Sequence, residues 1–327
     1  MLRKSFVLSF VFLLIISFVG VSAGFGAQKF DRKFLKMVSG TSGGSWYPIG
    51  AGMMKIVQRE TGITTSNGPG GGVANMNTLQ KGTADISLGY LHTITNAYQG
   101  RGEFKKPLNK LRYVATLFPS TYQTAVLKKG DITSYAQLHN KRIIPGKVGY
   151  TSRVIAEQVL KAYDMSFNSI KKAGGTVSFV GFSDSAALVK DGHTDALIVL
   201  TDCPAAVLMG LNFSPGIRFL GIDPEHMKKV LELEPGLIET VIPKTAYKGM
   251  SEDVPTVGTA TCLLMNEDVE ENVGYAVTKA LWEHMDELVA IKKNMSNAKI
   301  EDALLGCKIP VHPGAMKYYK ERGVSIK

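Results

Sequence analysis

The chain has 327 residues, 45% of them hydrophobic, with 38 Lys and Arg against 28 Asp and Glu, a formal charge of +10, and three cysteines. That length exceeds one ordinary domain, so two are expected, and three cysteines exclude a disulfide-framework protein. The basic residues fall in scattered pairs such as Lys105-Lys106, Lys171-Lys172 and Lys292-Lys293, with no interleaved aromatics; they read as solvated faces that mildly attract anionic solutes, not as a nucleic-acid surface.

In chain order, Arg3 and Lys4 precede an apolar run from Phe6 to Val21, and Val21-Ser22-Ala23 offers a small-x-small cleavage pattern. Residues 1–23 are therefore expected to be a signal peptide, with an uncleaved anchor as the alternative. Cleavage removes two basic residues and lowers the charge from +10 to +8. From Phe34 onward short apolar runs alternate with helical patterns, which predicts an α/β protein with largely parallel sheets. Strands are expected at 34–38, 63–66 and 85–88, with helices at 48–60, up to 80 and 92–98. The extended runs 111–117 and 124–127 look like a connection between lobes, after which the pattern restarts. Strands at 142–144, 177–180, 196–200 and 217–220 alternate with helices at 151–163, 183–190 and 204–211. Extended runs at 238–242 and 256–265 return the chain, and 267–286 is the longest helical pattern, with Val273, Val277, Ala280, Leu281 and His284 on one stripe. The division expected is 28–119 with 243–327 as one discontinuous lobe and 120–242 as the other.

Ligands of open α/β sheets sit beyond the carboxyl ends of the strands, where helix N-termini gather. Four loops occupy such positions. Gly40-Thr41-Ser42-Gly43-Gly44-Ser45-Trp46-Tyr47 combines glycines, hydroxyls and an aromatic pair. Its glycines let backbone approach a ligand, and the amides that open the next helix favour an anion. Gly68 to Asn75 carries four glycines, including Gly71 and Gly72, ahead of a helix. The third loop is Gly146 to Ser152, which brings Tyr150, Thr151 and Ser152. The fourth holds Asp202, which can pair with a ligand amine or cap the following helix.

Catalytic and cofactor patterns are absent or incomplete. Lys147 is followed by Val148 where a Walker loop needs Ser or Thr, and no two of the six histidines lie three or four apart. No Gly-x-Gly-x-x-Gly opens a helix with an acidic partner, so neither a cofactor nor a metal is expected. Gly40-Thr41-Ser42-Gly43-Gly44 does match Gly-x-Ser-x-Gly after a strand, which makes a secreted serine hydrolase using Ser42 the competing reading.

Taken in order, several short motifs resemble the TRAP-associated extracytoplasmic immunogenic (TAXI) solute receptors. They are Gly43-Gly44-x-Trp46-Tyr47-Pro48-x-Gly50, Gly70-Gly71-x-x-x-Asn75, Gly82-x-Ala84-Asp85, Leu111-Arg112, Leu138-x-x-Lys141, Asp195-Ala196, Ile242-Pro243-x-x-x-Tyr247 and Pro310-x-His312-Pro313-Gly314-Ala315-x-x-Tyr318-Tyr319. The resemblance implies a two-lobed periplasmic binding protein of the type II class, with two Rossmann-like lobes joined by hinge strands. It also implies a periplasmic location and delivery of a small carboxylate or amino acid to the membrane subunits of a TRAP-type permease. The sequence departs from that family at Pro69 and Gly72, at Tyr90-Leu91-His92, at Tyr150-Thr151-Ser152 and at Asp202. Hydroxyl donors are exchanged there for two tyrosines, a histidine and an acid, so Tyr90 and His92 join the expected ligand-binding residues. Asp202 would suit an amino acid's ammonium, since an unpaired buried carboxylate facing another is costly. His312 is expected to hydrogen-bond locally.

Overall fold

The structure, a computed structural model, describes residues 30–41 and 43–324; the expected signal peptide, residues 1–23, and Ser42 lie outside the described residues. Three parallel strands open the first lobe. β1 (Phe34–Val38) lies between β2 (Thr64–Gly68) and β3 (Ile86–Tyr90). The connections are α1 (Trp46–Thr61) and α2 (Gly72–Gln80), and β3 runs straight into α3 (Leu91–Gln99). α1 buries Ile49, Met53, Ile56 and Val57, the spacing that puts one apolar stripe on a sheet. Gly62 ends it with a φ of 70°, which glycine adopts without strain, and its N–H bonds back to the Gln58 carbonyl.

β4 (Leu111–Leu127) is one strand of 17 residues, where the sequence suggested two separate runs. At about 3.3 Å per residue it spans roughly 55 Å, enough to serve both lobes. β5 (Arg142–Ile144), α4 (Thr151–Ala162), α5 (Phe167–Lys172), β6 (Thr176–Val177), α6 (Phe182–Lys190), β7 (Ala196–Thr201), α7 (Ala206–Phe213), β8 (Ile217–Phe219), α8 (Pro224–Leu233) and β9 (Ile238–Ile242) follow. β10 (Val254–Asn266) then returns antiparallel to β4, with Gly258 opposite Thr121 and Asn266 opposite Leu111. The helices α9 (Glu271–Glu283), α10 (Met285–Ile291) and α11 (Pro313–Glu321) complete the first lobe. The sheet runs β2-β1-β3-β10-β4-β7-β5-β6, with β8 on β4 and β9 on β10. β4 and β10 are thus the hinge strands of a two-lobed α/β fold, and their antiparallel pairings make the sheet mixed rather than largely parallel.

Two expectations need correction. The long helical pattern breaks at His284, whose imidazole lies 3.1 Å from both Glu60 and Glu287; it leaves the buried stripe of Val273, Val277, Ala280 and Leu281 for that ionic corner. α7 begins at Ala206 with Ala205 as its N-cap, so Asp202 caps nothing. His312 is fully buried, bonding the Val269 carbonyl and accepting from the Gly314 N–H.

Candidate functional site

Burial and chain direction bring the strand-end loops of both lobes to one place. Tyr90 is the last residue of β3 and Leu200–Thr201 the last of β7. Helices α1, α2, α4 and α6 all begin at the same cavity: Ser45-Trp46, Gly71-Gly72, Tyr150-Thr151-Ser152 and Phe182 line it, together with Gly40, Thr41, Gly44 and Gly70. It measures about 40 Å³, the room of roughly three or four waters. The first amides of each helix have no partner one turn back, so four helix N-termini aim their positive ends at one small space.

Two aromatic pairs wall it. Trp46 and Tyr90 from the first lobe have ring centroids 4.4 Å apart, and Trp46 is anchored by Nε1–H donating to Thr261 Oγ1 at 3.0 Å. Tyr150 and Phe182 from the second lobe meet edge to face at 5.6 Å. Burial pushes both tyrosine hydroxyls upward from their ordinary pKa, so they stay neutral. Among the described residues no charged side chain lines the cavity. The Ser152 hydroxyl, on its wall, is buried with no hydrogen-bond partner among the described residues.

Several contacts cross from lobe to lobe around this space. Tyr90 Oη–H donates to the Leu200 carbonyl at 2.7 Å. Ser45 Oγ and Thr201 Oγ1 lie 3.4 Å apart, and Thr93 Oγ1 and Thr151 Oγ1 lie 3.2 Å apart. The Ala74 N–H donates to the Gly149 carbonyl at 3.1 Å. Arg153 pairs with Glu103 at 2.6 Å, and Lys292, just past α10, pairs with Asp202 at 2.8 Å. The glycines serve these approaches. A Cβ on Gly71 would lie 2.6 Å from the Tyr150 ring, one on Gly72 would lie 2.2 Å from Thr151 Oγ1, and one on Gly43, whose φ is +84°, would lie 2.7 Å from Ser183 Oγ.

Of the residues singled out from sequence, Thr41, Gly44, Trp46, Gly71, Gly72, Tyr90, Tyr150, Thr151 and Ser152 meet at this cavity. Ser42 lies outside the described residues, and the rest are placed elsewhere. Gly43 abuts Ser183, and Tyr47 turns outward, 40% exposed. Asn75 is buried as a brace: its amide donates to the Ser39 and Leu88 carbonyls and accepts from the Gly71 N–H. His92 sits behind the wall, with Nδ1 on Thr259 and Nε2 on Thr93, and burial lowers its pKa to about 3. Asp202 lies off the wall: its carboxylate pairs with Lys292 and accepts from the Thr201 hydroxyl at 2.9 Å. Ser45, Phe182 and Thr201 complete the wall without having been chosen. Phe182 falls between the strand expected at 177–180 and the helix expected at 183–190, and it opens α6 one residue ahead of that expectation; Thr201 and Ser45 were visible as loop hydroxyls beside residues that were chosen.

The fold and the interlobe position of the cavity define the class: a two-lobed α/β protein built like the periplasmic solute-binding proteins. A putative L-cystine ABC transporter protein from Listeria monocytogenes aligns over 82% of this chain and 98% of its own, at 13% identity and a TM-score of 0.50. The periplasmic aliphatic sulphonate binding protein SsuA from Escherichia coli aligns over 88% and 78%, at 13% identity and a TM-score of 0.45. An ancestral arginine-binding protein bound to glutamine aligns over 82% and 96%, at 16% identity and a TM-score of 0.43. The chain belongs to the NMT1-like family, whose sequence profile matches residues 37–323.

Proposed function

We propose that this chain is an exported solute receptor that clamps a small organic anion between its lobes without transforming it. The observation that carries the reading is the meeting of four helix N-termini, from both lobes, around a cavity with an unpartnered Ser152 hydroxyl and no charged side chain. Backbone amides and helix ends neutralise an anion there, and the aromatic pairs enclose its apolar part. The lobes are residues 30–119 with 260–324, and residues 120–259. The pocket is formed by the nine residues that meet at the cavity together with Ser45, Phe182 and Thr201.

The ordered TAXI-like motifs support a TRAP-type permease as the partner and the periplasm as the location. A thermal-shift screen of residues 24–327 against carboxylates, amino acids, sulfonates and sugars tests the receptor reading. A hundredfold excess of a true ligand over its Kd stabilises the native state by about 2.7 kcal/mol. Melting that moves for no member of the screen would refute it. Reconstituted uptake driven by an ion gradient supports the TRAP assignment, and uptake driven by ATP refutes it.

A further inference from the structure

Two hydroxyls on the hinge strand β10 hold the solute wall without belonging to it. β3 ends at Tyr90, which pairs with Thr261 of β10, and the same register carried two residues further sets His92, in the first turn of α3, beside Thr259. Residues two apart on a strand share a face, and each of these threonines holds one ring. Trp46 Nε1–H donates to Thr261 Oγ1 at 3.0 Å, and His92 Nδ1 lies 3.1 Å from Thr259 Oγ1. Tyr90 pairs with both rings, its centroid 4.4 Å from Trp46 and 6.3 Å from His92, and it carries the hydrogen bond to Leu200 in the other lobe. Both threonines are buried, and neither lines the cavity. The lobe boundary proposed above falls between them, so Trp46 is pinned on the first-lobe side of the β10 crossing and His92 on the second-lobe side.

We propose that Thr259 and Thr261 are positioning residues of the solute site: they pin the Trp46, Tyr90 and His92 rings to the hinge strand in the register that lets Tyr90 reach Leu200. Neither meets the solute, and each acts through a ring. An indole has a single N–H to give and no acceptor, and Trp46 gives it to Thr261. Thr261 Oγ1 also lies 2.8 Å from Ser120 Oγ, which ties the anchor to β4, the other hinge strand. His92 hands its tie on. Its Nε2 lies 3.1 Å from Thr93 Oγ1, and that hydroxyl meets Thr151 of the second lobe at 3.2 Å. Bending of the hinge strands at this crossing moves Thr259 against Thr261, and the rings move with them. Opening the lobes and dismantling the aromatic wall are then one event. This inference rests on the receptor reading above for the movement it serves.

The test needs no solute. The chain has two tryptophans, Trp46 and Trp282, so in a Trp282→Phe background the emission belongs to Trp46 alone. Thr261→Val, which keeps the shape and removes the hydroxyl, is expected to shift the emission maximum and roughly double quenching by acrylamide, because the indole N–H loses its buried partner. Thr261→Ser should match the parent. Thr259→Val should lengthen the distance between spin labels on the two lobes, and Thr259→Ser should not. In the parent, which needs no variant to fold, the Trp46 indole proton should exchange with deuterium far more slowly than that of free indole. Emission and quenching unchanged by Thr261→Val, or a lobe distance unchanged by Thr259→Val, overturns the positioning role. So does a serine variant no better than its valine counterpart, or an indole proton that exchanges at the free rate. A thermal-shift screen in which no solute responds refutes the receptor and leaves these ties standing, so the two failures are told apart.

Discussion

Lys292→Met provides a direct test of how the lobes are held. Asp202 is 4% exposed, and its side chain has two partners, the Thr201 hydroxyl of its own lobe and the Lys292 ammonium from the other. Removing one member of a buried pair leaves an uncompensated charge and costs about 3–5 kcal/mol. The Lys292 side chain is 26% exposed, so solvent already screens part of the pair, and about 2–3 kcal/mol is the fair expectation. That penalty exists only while the lobes are together, since opening returns Asp202 to water. The substitution should therefore leave the melting temperature of the unliganded protein nearly unchanged while it opens the lobes. Solute affinity should fall roughly 30- to 150-fold. Titration calorimetry with the solute selected by the screen gives the affinity, and spin labels on the two lobes give the distance distribution. Asp202→Asn alone should cost less, and adding it to Lys292→Met should restore part of the loss, because no charge is then stranded. Affinity within threefold of the parent, with an unchanged lobe distance, would refute the reasoning.

Three further outcomes are expected. Gly72→Ala puts a Cβ 2.2 Å from Thr151 Oγ1 and 3.1 Å from the Tyr90 ring, so it should hold the lobes apart and weaken solute binding at least tenfold. Its melting temperature should hold or rise because alanine favours the helix, and small-angle scattering would show the larger radius of gyration. His92 has its folded-state pKa lowered to about 3 by burial, so the unfolded chain binds a proton that the native one refuses. Its share of stability is whole above about pH 6.5 and is lost at about 1.4 kcal/mol per unit as pH falls toward 3; urea titrations at pH 7 and pH 5 should show His92→Gln losing less stability between them than the parent. Burial pushes the thiols of Cys203 and Cys262 up to about 12, so both should resist alkylation at pH 8 in native protein and react fully in urea, as mass spectrometry would register.

The sequence carried the strand–helix alternation well wherever an element was long enough to show a period. β1 and β9 fall where their apolar runs do, and α2 ends at Gln80 as expected. It carried less where tertiary context rules. β6 has two residues, and α8 is a short amphipathic helix begun by a capping Asp223 and Pro224 that the linear reading passed over. At the site, loop composition pointed to nine lining residues, yet it could not tell a wall from its support. Asn75 and His92 have the same chemistry in either role, and only their partners, backbone carbonyls for one and two threonines for the other, place them behind the surface. Asp202 shows the limit most plainly. Its partner lies 90 residues away in the other lobe, and nothing local to Thr201-Asp202-Cys203 announces Lys292.

The glycine loops bear on closure more than on ligand contact. Gly43, Gly71 and Gly72 each lie where a side chain would strike the opposite lobe, so their smallness is spent on letting the halves meet. The contacts formed there are modest: a neutral hydrogen bond contributes about 0.5–1.5 kcal/mol net, and an exposed ion pair such as Arg153–Glu103 about 0–1. Opening hands every one of those groups back to water, so the closed arrangement is favoured only slightly over the open one by its own contacts. A ligand that touches both lobes then supplies the difference, and it shifts the balance only by as much as it binds the closed form better. Tyr90 belongs to that cross-lobe geometry through the proton it gives to the Leu200 carbonyl. Substitution of Lys292, which lies off the cavity wall, should lower affinity for every solute by the same factor.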